Sequence, residues 1–279
     1  MRRSLFIGLA CLTACRGTTP DRGPAADAQR SPDTTRESAR GSLTPWPDVI
    51  GDFTAMANTA TGEALLLRRD TTTTPDHISV IGYDSVPTPV KLQDVRPLPC
   101  AARALLRVSG APSGWSLALD SARARPVLID ALEDLSRADS QRVVVRVQRA
   151  LSSLPDSADA MEFGGLPVVV RDAWIVHFPS RPVVVARAAR LRNLEAAAHE
   201  ELRFVVLEHD VPRFVARVAG EEDAVESWDL LAALLTDRGP LLAIAREGAR
   251  TLQLELVIYE QNDWHSLWRS DALACVAPH

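Results

Sequence analysis

The stretch Trp174-Ile175-Val176-His177-Phe178-Pro179-Ser180-Arg181-Pro182-Val183-Val184-Val185 decides the reading of the fold. Two short runs rich in β-branched and aromatic residues flank a Pro-Ser-Arg-Pro turn, the pattern of two strands and a tight connection. Short connections make neighbouring strands antiparallel. The same pattern continues outward. Leu166 to Val170 follows Gly164-Gly165, and Val183 to Leu191, Leu202 to Leu207 and Phe214 to Val218 come after it. Trp228 to Leu235, Leu241 to Ala245, Leu252 to Tyr259 and Trp264 to Trp268 extend the series. Turn signals separate them at Asp210-Val211-Pro212, Gly220-Glu221-Glu222, Asp237-Arg238-Gly239-Pro240, Glu247-Gly248 and Gln261-Asn262-Asp263. Residues 166–270 therefore read as a β-meander that can curl into a barrel or a sandwich. Trp228 to Leu235 also fits a helix, because its apolar residues do not strictly alternate. No fixed-period repeat is visible, which argues against a propeller.

Two helices are expected before the meander. Pro126 suits a first helical position, and Val127, Leu128, Ala131, Leu132 and Leu135 then fall on one face. Asp139 or Ser140 can cap a second helix whose apolar stripe is Val143, Val144, Val147, Ala150, Leu151 and Leu154, stopped by Pro155. The β-branched run Val143 to Val145 makes a strand the competitor there. Further upstream, Ala64 to Leu67, His77 to Ile81 and Trp115 to Leu119 read as strands, while Pro87, Pro89, Pro97 and Pro99 mark an irregular connection. The expected class is α+β, mostly antiparallel β, with a barrel- or sandwich-like C-terminal meander preceded by two helices.

The amino terminus carries a different signal. Arg2 and Arg3 precede the apolar run Leu5 to Leu12, too short to span a membrane and suited to a signal-peptide core. Leu12-Thr13-Ala14-Cys15 follows and resembles the lipobox of bacterial lipoproteins. The resemblance implies cleavage before Cys15, a diacylglycerol on its thiol and acylation of the new terminus. Residues 1–14 would then be a signal peptide, and lipid on Cys15 would attach the chain to a membrane. Arg16, rather than an aspartate, follows the cysteine, which in such lipoproteins favours the outer membrane where one exists. Residues 16–42 contain no Val, Ile, Leu, Met or aromatic residue and alternate charges of both signs. They cannot bury enough apolar surface to offset ordering entropy, so residues 15–42 read as a lipidated cysteine and a disordered tether reaching roughly 30 Å. Residues 43–279 read as one globular β-rich domain.

The full chain has a formal charge of −5. Setting aside Arg2 and Arg3, and then the five arginines and four acids of residues 16–42, leaves −8 on residues 43–279. An acidic domain without a basic stripe argues against a nucleic-acid partner. Cys100 and Cys275 are the domain's two cysteines. In an exported chain they can form a disulfide, worth on the order of 5 kcal/mol in the chain-entropy model for so long a loop. Without a Cys-x-x-Cys pair, they give no support to a redox role.

Residue types that carry chemistry are present, but not in the patterns chemistry needs. Lys91 is the only lysine and lies in neither a phosphate loop nor a serine-x-x-lysine site. The histidines are His77, His177, His199, His209, His265 and His279. His199-Glu200-Glu201 lacks the second histidine of a zinc-protease helix, and strand alternation puts Glu208 and His209 on opposite faces. No EF-hand calcium loop occurs. Gly110-Ala111-Pro112-Ser113-Gly114 is turn chemistry rather than a nucleophile elbow. Glu133, Asp134, Glu221, Glu222 and Asp223 read as surface acids. Trp264 and Trp268, four apart on one strand, would share a face; exposed they could stack on a sugar or peptide, and buried they would fill the core.

No catalytic residue, metal ligand or cofactor site is therefore assigned. Three readings follow. The first is a membrane-anchored envelope lipoprotein acting as a non-enzymatic binding or interaction module for an envelope protein, peptidoglycan or a small ligand. The second is an envelope hydrolase built on an unrecognised site. The third is a structural subunit of an envelope complex.

Overall fold

The computed structural model describes residues 48–50, 54–58, 63–66, 78–84, 86–97, 104–119, 124–155, 162–193, 198–221, 225–248 and 251–270. Among them lie three antiparallel sheets and one α-helix. Strands β1 (Thr54–Asn58), β2 (Glu63–Leu66), β3 (Ile78–Ile81), β4 (Thr88–Pro97), β5 (Ala104–Ser109) and β6 (Leu117–Leu119) close into a barrel in the order β1-β2-β5-β4-β3-β6. Next come β7 (Ala124–Val127), β8 (Ile129–Ala131) and the helix α1 (Arg137–Ser152). The first C-terminal meander is β9 (Val169–Phe178), β10 (Arg181–Asn193), β11 (Ala198–Glu208) and β12 (Val211–Glu221). The second is β13 (Ser227–Thr236), β14 (Pro240–Gly248), β15 (Thr251–Glu260) and β16 (Asp263–Arg269).

The expected single meander is thus two sheets. Their orders are β12-β11-β10-β9-β8 and β16-β15-β14-β13-β7, so each four-stranded meander takes one short strand from residues 124–131 as its fifth. The two sheets face each other. Trp174, Val176, Val185 and Phe204 from one meet Trp228, Leu230, Ile244 and Val257 from the other in a shared core. The outer face of the first sheet is covered by α1, where Val143, Val147 and Leu151 pack on Ala186, Val205 and Leu207. The outer face of the second meets the barrel, with Met56, Ile81 and Leu117 against Leu241, Ala243 and Leu256. Both sheets are therefore buried on both faces. That explains why β11 is buried without interruption from Glu200 to Glu208, whereas its neighbour β12, at the sheet edge, is half-buried or exposed throughout.

The hairpins follow from local chemistry. His209 and Asp210 link β11 to β12 at φ 48° and 66°, and Gln261 and Asn262 link β15 to β16 at φ 53° and 66°. Two consecutive left-handed residues make the turn whose twist matches paired strands, and Asn and Asp tolerate that region best.

Several expectations are corrected. The first predicted helix, over residues 126–135, is β7, β8 and a single 3-10 turn at Leu132–Asp134. Val127, Ile129 and Ala131 alternate inward while Leu128 stays 47% exposed, a period of two rather than 3.6. Pairing decides it: Val127 lies opposite Ala233 on one sheet and Ile129 opposite Val176 on the other, so the chain crosses between sheets at Leu128. The proline-rich stretch after Pro87 is mostly strand β4. Pro89 lies opposite Ser79 of β3, beyond the part of β4 that pairs with β5, and Pro97 ends the strand. Each proline thus sits where a missing N–H costs little. Trp228 to Leu235, by contrast, is the strand expected there rather than the alternative helix, its broken alternation caused by a bulge at Leu231 between the pairs Leu230–Ile244 and Ala232–Ala243.

The second predicted helix is α1. Val143, Val147, Ala150 and Leu151 are its buried face. Its cap is Ser136, not Asp139 or Ser140: the Ser136 hydroxyl oxygen accepts the Asp139 backbone N–H at 3.2 Å. Replacing Ser136 by Ala should lower the unfolding free energy by about 1 kcal/mol, the usual worth of such a cap. Urea titration of the variant checks this; an unchanged midpoint would show that the cap contributes nothing.

Candidate functional site

A cavity of about 260 Å³ opens where the barrel meets the second sheet. Its apolar wall comes from Met56 of β1, Trp115 of the turn before β6, Leu231 of β13 and Leu252 of β15. Its polar groups are Tyr83, which follows β3, Ser116, Asp229 of β13 and Glu247 of β14.

The bulge in β13 builds the junction. Leu231 is the extra residue, and the carbonyls on either side of it are used to hold the barrel. The Tyr83 hydroxyl donates to the Leu230 carbonyl at 2.7 Å, and the Ser116 hydroxyl donates to the Leu231 carbonyl at 2.5 Å. Ser116 is itself fixed by its backbone N–H, which donates to the Ile81 carbonyl at 2.9 Å. The rim needs a close backbone approach: a Cβ on Gly82 would come within 3.0 Å of the Gly114 carbonyl oxygen. Gly114 itself has φ +78°, a conformation glycine adopts without strain.

Asp229 is the electrostatic centre. Burial pushes its carboxyl above the ordinary range; Arg187 pulls it back down, and Glu247 and Asp172 raise it further. Among the described residues Arg187 makes its ion pair with Asp172 rather than with Asp229. Its guanidinium is committed to Asp172 through Nε at 2.8 Å and through Nη2, and it donates to the Trp228 carbonyl at 3.1 Å. The Leu230 backbone N–H donates to Asp229. Tyr83 is shifted the same way as Asp229, upward, first by burial and then by the charge of Asp229, while a hydrogen bond with Trp174 offsets part of the rise. Its proton stays on the ring oxygen at neutral pH, as its donation to Leu230 requires.

This gives a pH signature with a definite sign. A carboxyl whose pKa is raised on folding favours the folded state most below its unfolded value near 3.9, and that stability is lost as pH rises through the folded value. Asp229→Asn should therefore be more stable than the parent at pH 7, and the gain should vanish as pH falls below the ordinary carboxylate range. Denaturation midpoints at pH 7 and pH 3.5 check this, and a variant less stable at pH 7 would refute it.

The residues singled out from sequence lie elsewhere. Trp264 and Trp268 are both buried, at 3% and 7% exposure, and they do not share a face. A second bulge, between the pairs Leu256–Trp268 and Val257–Ser266, turns Trp264 into the core between the sheets and Trp268 into the core against the barrel. Trp264 donates its indole N–H to the buried Glu208 at 2.8 Å, so both rings fill core rather than face a ligand. Cys15, Cys100 and Cys275 lie outside the described residues, as do His77, His279, Glu222 and Asp223. His177 pairs with Asp130 at 2.7 Å on the surface, His199 lies 3.5 Å from Glu162, His265 lies 3.8 Å from Glu260, and His209 sits in its hairpin turn. Lys91, Ser113, Glu133 and Asp134 are exposed. None of these lines the cavity. Among the described residues no group of three His, Cys, Asp or Glu is placed to hold a metal ion. No described helix is long and apolar enough to cross a membrane.

Sequence reading missed Tyr83, Ser116, Asp229 and Glu247. One signal was available: Asp229 interrupts the apolar run Trp228 to Leu235, and a carboxylate inside a covered strand needs a reason. No family model, curated protein or solved structure matches this chain.

Proposed function

We propose that the chain is an exported lipoprotein, held at a bacterial membrane through lipid on Cys15, whose globular region binds a small ligand in the cavity between the barrel and the second sheet. The two facing sheets serve as a sandwich-like scaffold in this reading, and residues 16–42 as the spacer above the membrane. The cavity carries the proposal: it is concave and sets an apolar wall against a few convergent polar groups, the arrangement of a small-molecule site. The Leu12-Thr13-Ala14-Cys15 sequence supports the anchor. A non-enzymatic role is preferred, because the hydroxyls at the site donate to backbone carbonyls and no described histidine is in reach to activate them. One observation favours the alternative of an envelope hydrolase: Asp229, with a raised carboxyl pKa, and Glu247 line the same cavity, and glycoside cleavage uses such a pair.

Two experiments test the reading. Mass spectrometry of full-length native protein should find a mature start at an acylated Cys15, and Cys15→Ser should release the chain from membranes. An uncleaved, unmodified terminus would overturn the anchor. For the cavity, saturation-transfer NMR of single-ring aromatic probes, one cationic, one neutral and one anionic, should report contact with the full-length protein. Ala57→Trp, which fills the cavity, should abolish it. No contact by any of the three probes would overturn the binding reading.

A further inference from the structure

Resting on that binding site, we infer that its ligand is a small organic ammonium ion: an apolar body seated on Trp115, Met56 and Leu252, with its cationic nitrogen between Asp229 and Glu247. The chemistry of the cavity is one-sided. Among the described lining residues the charged groups are Asp229 and Glu247, both acidic. Among the described residues neither has an ion-pair partner, while Arg187, the nearby cation, is occupied by Asp172. Two carboxylates facing one cavity repel each other, and a cation between them removes that repulsion as it binds. The aromatic rings fit the same guest, since the faces of Trp and Tyr attract ammonium groups. Tyr83 and Ser116 point their protons at backbone carbonyls, which leaves the acids as the principal polar groups for a guest. An anionic ligand would meet both acids unpaired, and a neutral one would leave them so. The volume of about 260 Å³ suits a molecule of one ring and a short side chain.

The groups facing Asp229 also set how binding depends on pH. Glu247 from β14 and Asp172 from β9 hold its proton, Arg187 from β10 opposes them, and Tyr83 stays neutral. A bound ammonium needs Asp229 ionised, so affinity should rise as pH climbs from the ordinary carboxylate range and then level off.

Calorimetry of the full-length protein with 2-phenylethylammonium, 2-phenylethanol and 3-phenylpropanoate tests the charge preference at constant shape. The expected result is that the ammonium binds at least about 30-fold more tightly than the alcohol, and that Asp229→Asn removes this advantage. Glu247→Gln should weaken the ammonium alone. Affinity that rises from the ordinary carboxylate range upward and then levels off should accompany the parent and not Asp229→Asn. Tighter binding of the alcohol or the carboxylate would overturn the ammonium assignment while leaving the cavity a binding site. Heat from none of the three would agree with a failed NMR test and overturn both. An ammonium preference unaffected by Asp229→Asn and Glu247→Gln together would place the cation elsewhere and sink the assignment.

Discussion

Replacing Glu201 by Ala should cost about 3–5 kcal/mol of unfolding free energy, because it removes a buried carboxylate that two buried arginines share. Glu201 is fully buried, and Arg203 and Arg190 are 1% and 5% exposed. Arg203 donates to Glu201 at 2.8 Å and Arg190 lies 3.8 Å from it. Both arginines also reach backbone: Arg203 donates to the Leu151 carbonyl in the last turn of α1, and Arg190 donates to the Phe163 carbonyl, each at 3.3 Å. A guanidinium at a helix C-terminus complements its dipole, so this network pins α1 to the first sheet. Glu201→Ala should therefore also raise amide exchange across the last turn of α1. The double variant Glu201→Leu/Arg203→Met should recover much of the loss, since an apolar replacement of a buried pair is often neutral. Guanidinium titration with hydrogen exchange reads all three. A single variant within 1 kcal/mol of the parent would show that the charges are hydrated rather than buried against each other.

Trp228→Ala is the second large effect, again about 3–5 kcal/mol, from a cavity opened between the two sheets. Trp228 is 1% exposed, tilts against Phe204 with ring centroids 6.5 Å apart, and carries the Arg246 guanidinium 5.5 Å above its ring. Arg246 in turn pairs with Glu226 and, at 3.3 Å, with the buried Glu255. Truncating the ring therefore removes packing and loosens an ion-pair cluster at once. Because Asp229 is the next residue on the strand, the same change should disturb the ligand cavity, and the ammonium probe should lose affinity with it. Trp228→Phe should retain most of the stability, since it keeps an aromatic ring at the position. Equal losses for Phe and Ala would point to the indole edge rather than to the lost volume.

The strands were legible where a turn announced them. The hairpins around Pro179-Ser180, His209-Asp210 and Gln261-Asn262 need only local chemistry, so nearly every C-terminal strand is visible in the chain. Their division into two sheets was not. The matching strands of the two meanders are offset by between 52 and 59 residues, β12 to β16 by the smaller number and β10 to β14 by the larger, so no fixed period marks the repetition. Residues 126–135 show the converse failure: their apolar spacing suits a helix, but two vacant sheet edges captured them as β7 and β8. The bulges at Leu231 and in β16 shifted side chains between faces, which misplaced Trp268 relative to Trp264 and hid the setting of Asp229.

The sequence by itself determined the β-rich class, the second of the two expected helices, the hairpin turns and an amino terminus resembling that of a lipoprotein, because each is written in neighbouring residues. Only the tertiary structure decided which faces are covered, how the strands divide into sheets, and that Asp229, Glu247, Tyr83 and Ser116 share one cavity. Those residues are brought together by pairings across as many as 147 positions, as between Tyr83 and Leu230. A one-residue bulge is enough to reverse where a side chain points, and no local pattern records it.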